Sequence, residues 1–500
     1  MQFTVLEAGE TPPPDVQGAF LIQDIWDDFG FRTNFFLEVR QDDGRLFHVG
    51  PVRIAHVDME LDETFSITAD RMARTFTALP DGFFSLAHEA DYYEALYMLP
   101  EGTAVMILKS LQDVAYTYGR EVPDSLFIEA AFNRSLMRGT TTAEYMRMAR
   151  TARGGARSLP FRWTYTPFPQ GLLPPHRFDF RAEPGSLPPT NMHALIGRNG
   201  VGKSHLLHSI AEDATAGMLH VQSGTEDEEQ VGLNGCVVVS FSPFDKRYQS
   251  GPEPVLDLVY IGLRHDRENR LKLDEELLAE FVDSFRRVRV GARGLRWQKA
   301  INTLNYTASG FLDGHQDVLT ECIREESPQI LRDQLRQVFV NLSSGHRVVL
   351  LTLTRLVEVV TERTLVLVDE PETHLHPPLL AALMRSISDL LTHQNGMAIL
   401  ATHSPVVLQE VPSTCVWKMQ RNGDTVTAHR PTLETYGENV GELTHEAFGL
   451  EATSAGYYAT IARLVDEGLP YQEIIGRFSG MGAEARSLLR ALVHTRQGQN

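Results

Sequence analysis

GRNGVGKS, residues 197–204, places glycine at 197 and 202 and ends in Lys203 and Ser204. The pattern GxxxxGK[ST] is complete at every fixed position. The apolar MHALI before it predicts a buried strand, and KSHLLHSIAED after it predicts a helix from Lys203 to about Asp213. A glycine-rich loop between a strand and a helix can wrap its N–H groups around an anion, and the helix N-terminus adds partial positive charge. Gly197, Asn199, Gly200, Gly202, Lys203 and Ser204 are therefore the candidate nucleotide-binding set. Lys203 would reach the outer phosphates, and the Ser204 hydroxyl would serve Mg²⁺, which takes hard oxygen ligands. A chance glycine-rich turn would not need this strand-and-helix context.

Downstream, LVDEPETHLHP (367–377) supplies what a phosphate loop requires. In phosphoryl transfer the second metal contact is an Asp at the end of a buried strand. TLVLVD has that form, so Asp369 is the candidate metal ligand with Ser204. Glu370, next to it, is the candidate base that orients the attacking water. His374 and His376 stand two apart and would share a face on extended chain, so a zinc site is a second reading of this stretch. A turn at a nucleotide or subunit interface is a third.

The surroundings predict an α/β arrangement. From residue 345 the pattern alternates: helix (HRVVLLTLTRLVEVVTE), strand (TLVLVD), helix (PPLLAALMRSISDLLTH), strand (MAILATHS). Such alternation builds a parallel sheet with helical crossovers. CVVVSF reads as a further buried strand and CVWKMQRNGDTVTAHRP as a hairpin. Residues 270–340 are mostly helical, with Leu273, Leu277, Phe281 and Phe285 on one stripe. The last fifty residues predict two or three amphipathic helices. Ahead of the phosphate loop, FRWTYTPF and HRFDFRA read as short strands. Residues 1–155 read as an α+β domain, with a hairpin around QDDG and helices at DETFSITADRMARTFTAL, EADYYEALYML and TAEYMRMARTA. A Gly/Arg-rich linker around residue 156 separates it from the rest.

Two further motifs carry a resemblance. NLSSGHR (341–347) resembles the LSGGQ signature of ABC-type ATPases, with Ser343, Ser344 and Gly345 at its core. ATHSP places His403 at the end of the strand after Asp369, where that family carries its switch histidine. The fold implied is an ABC-type P-loop ATPase head over about 156–435, a mixed sheet with a helical lobe at about 265–345. A helical segment, 436–500, follows it. The resemblance implies ATP and Mg²⁺ as ligands and ATP hydrolysis as the activity. It also implies two copies paired head to tail, each ATP lying between Lys203 of one and Ser344–Gly345 of the other, with His403 acting beside Glu370. Within the class, DEPETHLHP is similar to the branch of OLD-type and other prokaryotic defence ATPases. FSPFDKRYQ followed by YIGLR is similar to ATPases of Septu and retron-type antiphage systems. SMC and RecF-like repair ATPases are more distant. No Gln directly follows CVVVSF where many ABC proteins have a Q-loop. Gln249 is a late candidate for that role and Asp245 another. The span between phosphate loop and signature is too short for an SMC-type coiled coil. No TOPRIM-like Glu…DxD pattern follows His403, so a separate nuclease or other effector is the expected partner. A DNA-repair ATPase acting on DNA ends and a low-turnover ATP-dependent scaffold are the rival functions. A transporter subunit finds the least support.

Composition bounds the partners. The 500 residues exceed one compact core. Sixty-five acidic against 46 basic residues give a net charge of −19, so any nucleic-acid contact must be local. FRRVRVGARGLRWQK, with Arg286, Arg287, Arg289, Arg293, Arg296 and Lys299 around Trp297, is a candidate DNA contact; a helix face paired with neighbouring acids is the alternative. Arg147, Arg150, Arg153 and Arg157 read as a basic linker. Trp163, Tyr165 or Phe168 could stack on adenine, although core packing is the ordinary task of such side chains. DDFG (27–30) lacks the companions a kinase motif needs. Three dispersed cysteines, no signal pattern and no long apolar run point to a cytoplasmic chain without a membrane span.

Overall fold

The computed structural model describes the chain apart from residues 25–29, 42, 60–65, 120, 139, 141, 155–159, 168–175, 220, 224–231, 243–247, 249–253, 266–267, 269, 290, 307–308, 326, 424, 449–455 and 498–500. The chain forms two compact units, Met1–Ser158 with Lys272–Glu362, and Leu159–Leu271 with Arg363–Asn500.

Among the described residues of the first unit, eight strands run in chain order: β1 (Phe3–Leu6), β2 (Gly18–Gln23), β3 (Phe31–Arg32), β4 (Asn34–Arg40), β5 (Leu46–His56), β6 (Ser66–Ile67), β7 (Thr75–Phe76) and β8 (Phe83–Ala87). Six form one sheet in the order β7-β1-β2-β4-β5-β8. The expected hairpin is β4–β5, antiparallel from Arg40↔Leu46 to Asn34↔Arg53. Along β4, Phe35, Leu37 and Val39 are buried while Phe36 is exposed, the period-two pattern of a half-covered strand. Their core is completed by Tyr93, Leu96, Ile107, Leu108, Met148 and Ala152, from helices at Ala90–Leu96, Thr103–Ser110 and Thr142–Ala152. The first and third of these match the sequence expectation. DETFSITADRMARTFTAL does not form the expected helix: its described part is β6, a 3₁₀ turn at Thr68–Arg71 and β7. Its Thr and Phe residues suit short extended pairings better than a helix.

The helices at Asp274–Val288, Gly291–Leu304, Gln316–Arg324, Pro328–Asn341 and Ser344–Val359 also belong to this unit. The buried stripe of the first of them is Leu278, Phe281, Val282, Phe285 and Val288. Leu273, expected on that stripe, precedes the helix and is exposed. Trp297 is buried and its indole N–H donates to Thr354 Oγ1 at 3.0 Å.

The basic stretch 286–299 is largely committed within the same unit. Arg296 is buried and pairs with Asp91 at 3.0 Å and Glu94 at 2.5 Å. Arg293 pairs with Glu89 at 2.6 Å and Asp91 at 3.0 Å. Arg287 pairs with Glu358, and Arg289 donates to the carbonyls of Cys322 and Glu325. Arg147 and Arg150 join the network through Glu94 and Glu362. These arginines match the paired-face alternative. Arg286 and Lys299 are exposed.

The second unit carries β9 (Phe161–Tyr165), β10 (Phe178–Ala182), β11 (Met192–Ile196), β12 (Val221–Ser223), β13 (Gly235–Ser240), β14 (Leu258–Gly262), β15 (Thr364–Asp369), β16 (Met397–Thr402), β17 (Val416–Asn422) and β18 (Thr425–His429). Strands β10-β9-β12 make a small antiparallel sheet. The main sheet has the order β14-β13-β15-β16-β11-β17-β18 and is parallel except for β18. It is thus the mixed α/β sheet expected of a P-loop ATPase head. Every residue of β11, β15 and β16 is buried, which is why these strands read as unbroken apolar runs. Helices at Lys203–Thr215 and Pro377–His393 are the crossovers. Helices at Gly456–Asp466, Tyr471–Gly476 and Ala483–Gln497 share a separate small core around Ile461, Ile474 and Leu489. Among the described residues no helix is long and apolar enough to cross a membrane.

Candidate nucleotide site

Strand order decides which residues meet. The chain reverses its direction of build-out around β11, and ligands of such sheets sit beyond the strand carboxyl ends. There β11 ends in the phosphate loop, β16 in Thr402–His403, and β15 in Asp369–Glu370. Strand β16 lies between the other two.

The loop itself explains its glycines. A Cβ on Gly197 would lie 2.4 Å from the carbonyl oxygen of Met419 on β17, so no side chain fits. Gly200 and Gly202 have φ of 78° and 103°, values that side-chain-bearing residues rarely adopt. Gly202 caps the 13-residue helix Lys203–Thr215. Asn199 and Gly200 are exposed at the loop tip. Lys203 is buried, and its ammonium donates to the carbonyls of Gly197 at 2.8 Å and Arg198 at 3.2 Å. Burial pushes the Lys203 pKa down, while Glu370, Asp369 and Glu372 pull it back up. An ammonium held by loop carbonyls amid carboxylates is a charge ready for an anionic partner.

Asp369 is buried at the end of β15 and uses both oxygens. Ser204 Oγ donates to Oδ1 at 3.0 Å, and Tyr248 Oη donates to Oδ2 at 3.0 Å. Ser204 and Asp369 thus present two hard oxygen donors side by side at a helix N-terminus, a set that fits Mg²⁺ together with phosphate and water oxygens. The metal, when bound, would polarise the phosphates and offset charge developing on them. Glu370 follows with φ of 47°, and its N–H donates to Ala401 O at 2.9 Å. Its carboxylate is partly exposed, as a group that meets water must be. His403 Nδ1 lies 3.8 Å from Glu370 and 3.0 Å from Glu372.

His374 and His376 are both exposed, and His376 precedes the helix Pro377–His393. Among the described residues no group of three or more His, Cys, Asp or Glu side chains is placed to hold a metal, so the zinc reading has no ligand set there. Trp163 and Tyr165 are buried. Trp163 packs on Phe180, and the Tyr165 hydroxyl donates to Asp213 at 2.8 Å; both serve the core. Phe168, Gln249 and Asp245 lie outside the described residues. Ser343, Ser344 and Gly345 belong to the first unit. Ser343 caps the helix Ser344–Val359 by accepting from His346 N at 3.3 Å. Both serines are exposed, so a 16-residue helix presents its N-terminus there.

Two groups escaped the sequence analysis. Tyr248 directly precedes Gln249 in the stretch after CVVVSF, and its ring stacks on His208 with centroids 3.6 Å apart. Glu372 was only the third carboxylate of DEPE. The tyrosine has no fixed spacing to Asp369, nor the second glutamate to His403, and only the fold brings each to its partner.

Protein ea59 of Escherichia phage lambda is 35% identical over 529 aligned positions, which cover 99% of both chains. The chain belongs to the family of protein ea59. A family model described as "AAA domain, putative AbiEii toxin, Type IV TA system" matches residues 315–409 of this ea59-family chain, the span holding the signature, Asp369–Glu370 and His403. Solved structures similar to it include cbiO1 from Clostridium perfringens, part of the ABC transporter complex cbiONQ, at 13% identity. That match covers 64% of this chain and 98% of the other, with a TM-score of 0.29. The ATP-binding cassette MJ1267 in its ADP conformation is 12% identical, covering 57% and 93%, with a TM-score of 0.27. At such scores the strand order and the phosphate loop, not these likenesses, carry the fold. The ea59-family chain contains a P-loop ATPase domain of the AAA/ABC type, a class that binds nucleotide, typically with Mg²⁺.

Proposed function

We propose that this chain hydrolyses ATP by pairing with a second copy and that the resulting clamp controls a separate effector, a nuclease in the leading reading, in prokaryotic antiphage defence. The observation that carries the hydrolysis is the hydrogen bond between Ser204 and Asp369, with Glu370 and His403 at the neighbouring strand ends. Lys203, Ser204 and the loop N–H groups would hold the triphosphate. Ser204 and Asp369 would hold Mg²⁺. Glu370 would orient the attacking water and accept its proton, and His403 would steady the γ-phosphate.

The paired state is supported by the exposed Ser343–Ser344 at a helix N-terminus, a group that lends itself to completing a phosphate site on another copy. Such an isologous arrangement makes two equal sites per pair. The defence reading is supported by a relative carried by a phage, by a family description that names a toxin, and by the resemblance of DEPETHLHP. The basic stretch 286–299 offers less to DNA than its composition promised, because Arg287, Arg293 and Arg296 already face carboxylates. Co-expression with the products of neighbouring genes, followed by native mass spectrometry with and without ATP, tests the effector. A nuclease retained by wild type and released or activated on nucleotide change is expected. A chain that never retains one would refute the gating role.

A further inference from the structure

We infer that Glu372 is the positioning residue of His403: it holds the imidazole by Nδ1 so that Nε2 is the nitrogen left for the nucleotide. The inference deepens the ATPase reading and rests on it for its catalytic consequence.

The geometry is concentrated on one atom. Glu372 Oε1 accepts from the His403 backbone N–H at 2.7 Å and from Thr402 Oγ1 at 2.8 Å, and it lies 3.0 Å from His403 Nδ1. One carboxylate oxygen therefore holds the backbone N–H and the preceding hydroxyl of the turn and lies in ion-pair range of its ring. Thr402 Oγ1 in turn accepts from Ser404 N at 2.9 Å, and Ser404 caps the short helix Pro405–Leu408 through Val406 N. The turn that carries His403 is thus tied to the Glu372 side chain by two hydrogen bonds, with the ring Nδ1 in ion-pair range of the same oxygen, and to the next helix by a further bond. The Glu372 side chain is only 10% exposed, against 46% for His403, so a mostly buried group holds a mostly open one. Its Oε2 is buried without a hydrogen-bond partner.

The chemistry follows from what a carboxylate can do. An ionised carboxylate only accepts, so a ring nitrogen that bonds to it does so by donating its proton. The same use of a carboxylate to set an imidazole's orientation and tautomer recurs wherever histidine acts on a reacting group. Glu370 lies 3.8 Å from the same Nδ1, beyond hydrogen-bond length. With Glu372 the nearer carboxylate to Nδ1, the Glu370 carboxylate is available to water instead of the ring. The two glutamates of DEPE then divide the labour: the first faces water and the second aims the histidine.

The test compares Glu372→Ala, Glu372→Gln and Glu372→Asp in the full chain with two readouts. The first is the ¹⁵N spectrum of the histidine rings, with His403→Gln used to assign the His403 signals. The second is steady-state turnover of Mg²⁺-ATP. The inference predicts a protonated Nδ1 on His403 in wild type, retained in Glu372→Gln, whose amide oxygen can still accept, and lost from its fixed state in Glu372→Ala. It predicts that kcat falls about 10- to 100-fold in Glu372→Ala. The KM for ATP should move by less than about threefold, with Glu372→Gln recovering most of kcat. Glu372→Asp, whose shorter side chain withdraws the acceptor, should fall between them and serves if the alanine variant does not fold. An unprotonated Nδ1 in wild type overturns the inference, as does a kcat unchanged in the folded Ala or Asp variant. In a protein that turns over no ATP the ATPase reading fails, and the nitrogen spectrum alone then decides the place of Glu372.

Discussion

Tyr248 Oη donates to Asp369 Oδ2 at 3.0 Å, while Ser204 Oγ donates to the other oxygen at 3.0 Å. Both lone-pair faces of the candidate metal ligand are therefore held before any metal arrives. Hydrogen bonds to a charged group contribute about 1.5–3 kcal/mol each. Tyr248→Phe keeps the ring stacked on His208 and removes only the hydroxyl. We expect the Mg²⁺ concentration for half-maximal ATP turnover to rise about tenfold, with kcat changed less. A Mg²⁺ titration at saturating ATP checks this, and an unchanged midpoint would show that the phenol does not orient Asp369 toward the metal.

Lys203 is held by the carbonyls of Gly197 and Arg198. Lys203→Ala removes the buried cation of the loop and should abolish ATP binding measured with a fluorescent nucleotide. Ser204→Ala should retain nucleotide binding without Mg²⁺ and lose the enhancement that Mg²⁺ gives. Equal binding by wild type and Lys203→Ala would remove the loop from the site.

Arg296 is buried against Asp91 and Glu94. Arg296→Met would leave both carboxylates in a cavity with one cation fewer. Breaking such a pair from one side costs about 3–5 kcal/mol. Denaturant unfolding should show the loss in the first unit, and Arg286→Met, at an exposed position, should show almost none. Similar midpoints for the two variants would mean that the network contributes nothing to folding.

Asp113 is buried, accepts from Tyr93 Oη at 2.9 Å and Tyr116 N at 2.8 Å, and burial raises its pKa from 3.8 to about 7. Between those values the unfolded chain has lost a proton that the folded chain retains, so stability falls as pH rises. The stability this group contributes is fully present below about pH 4 and is lost by about pH 7. Asp113→Asn, which cannot ionise, should remove that slope. Unfolding free energies of wild type and variant measured from pH 4 to 8 should diverge across this window; parallel curves would place the Asp113 pKa near its ordinary value.

What could be seen in the sequence follows from the range of the constraint. Gly197, Gly202, Lys203 and Ser204 answer to one local loop, so their spacing is written in eight residues. Asp369 and His403 close apolar strands, and the strands announce themselves by burial on both faces. Tyr248 and Glu372 answer to no local rule: each is defined by a partner more than 30 positions away. For the arginines at 286–299 the sequence leaves a DNA contact and a face paired with acids side by side, because Glu89, Asp91 and Glu94, which pair with two of them, lie some 200 residues upstream. Residues 62–79 read as helix in the sequence, whereas short pairings to β1 and β3 decide the form of their described part.

The most direct test of the central claim is the behaviour of Glu370→Gln with Mg²⁺-ATP, followed by sedimentation alongside a turnover assay. If Glu370 orients the attacking water between paired copies, wild type hydrolyses ATP, and the variant binds ATP, turns over at least 100-fold more slowly and sediments as a stable pair. A variant that hydrolyses ATP at the wild-type rate, or that binds ATP and stays unpaired, would contradict the account.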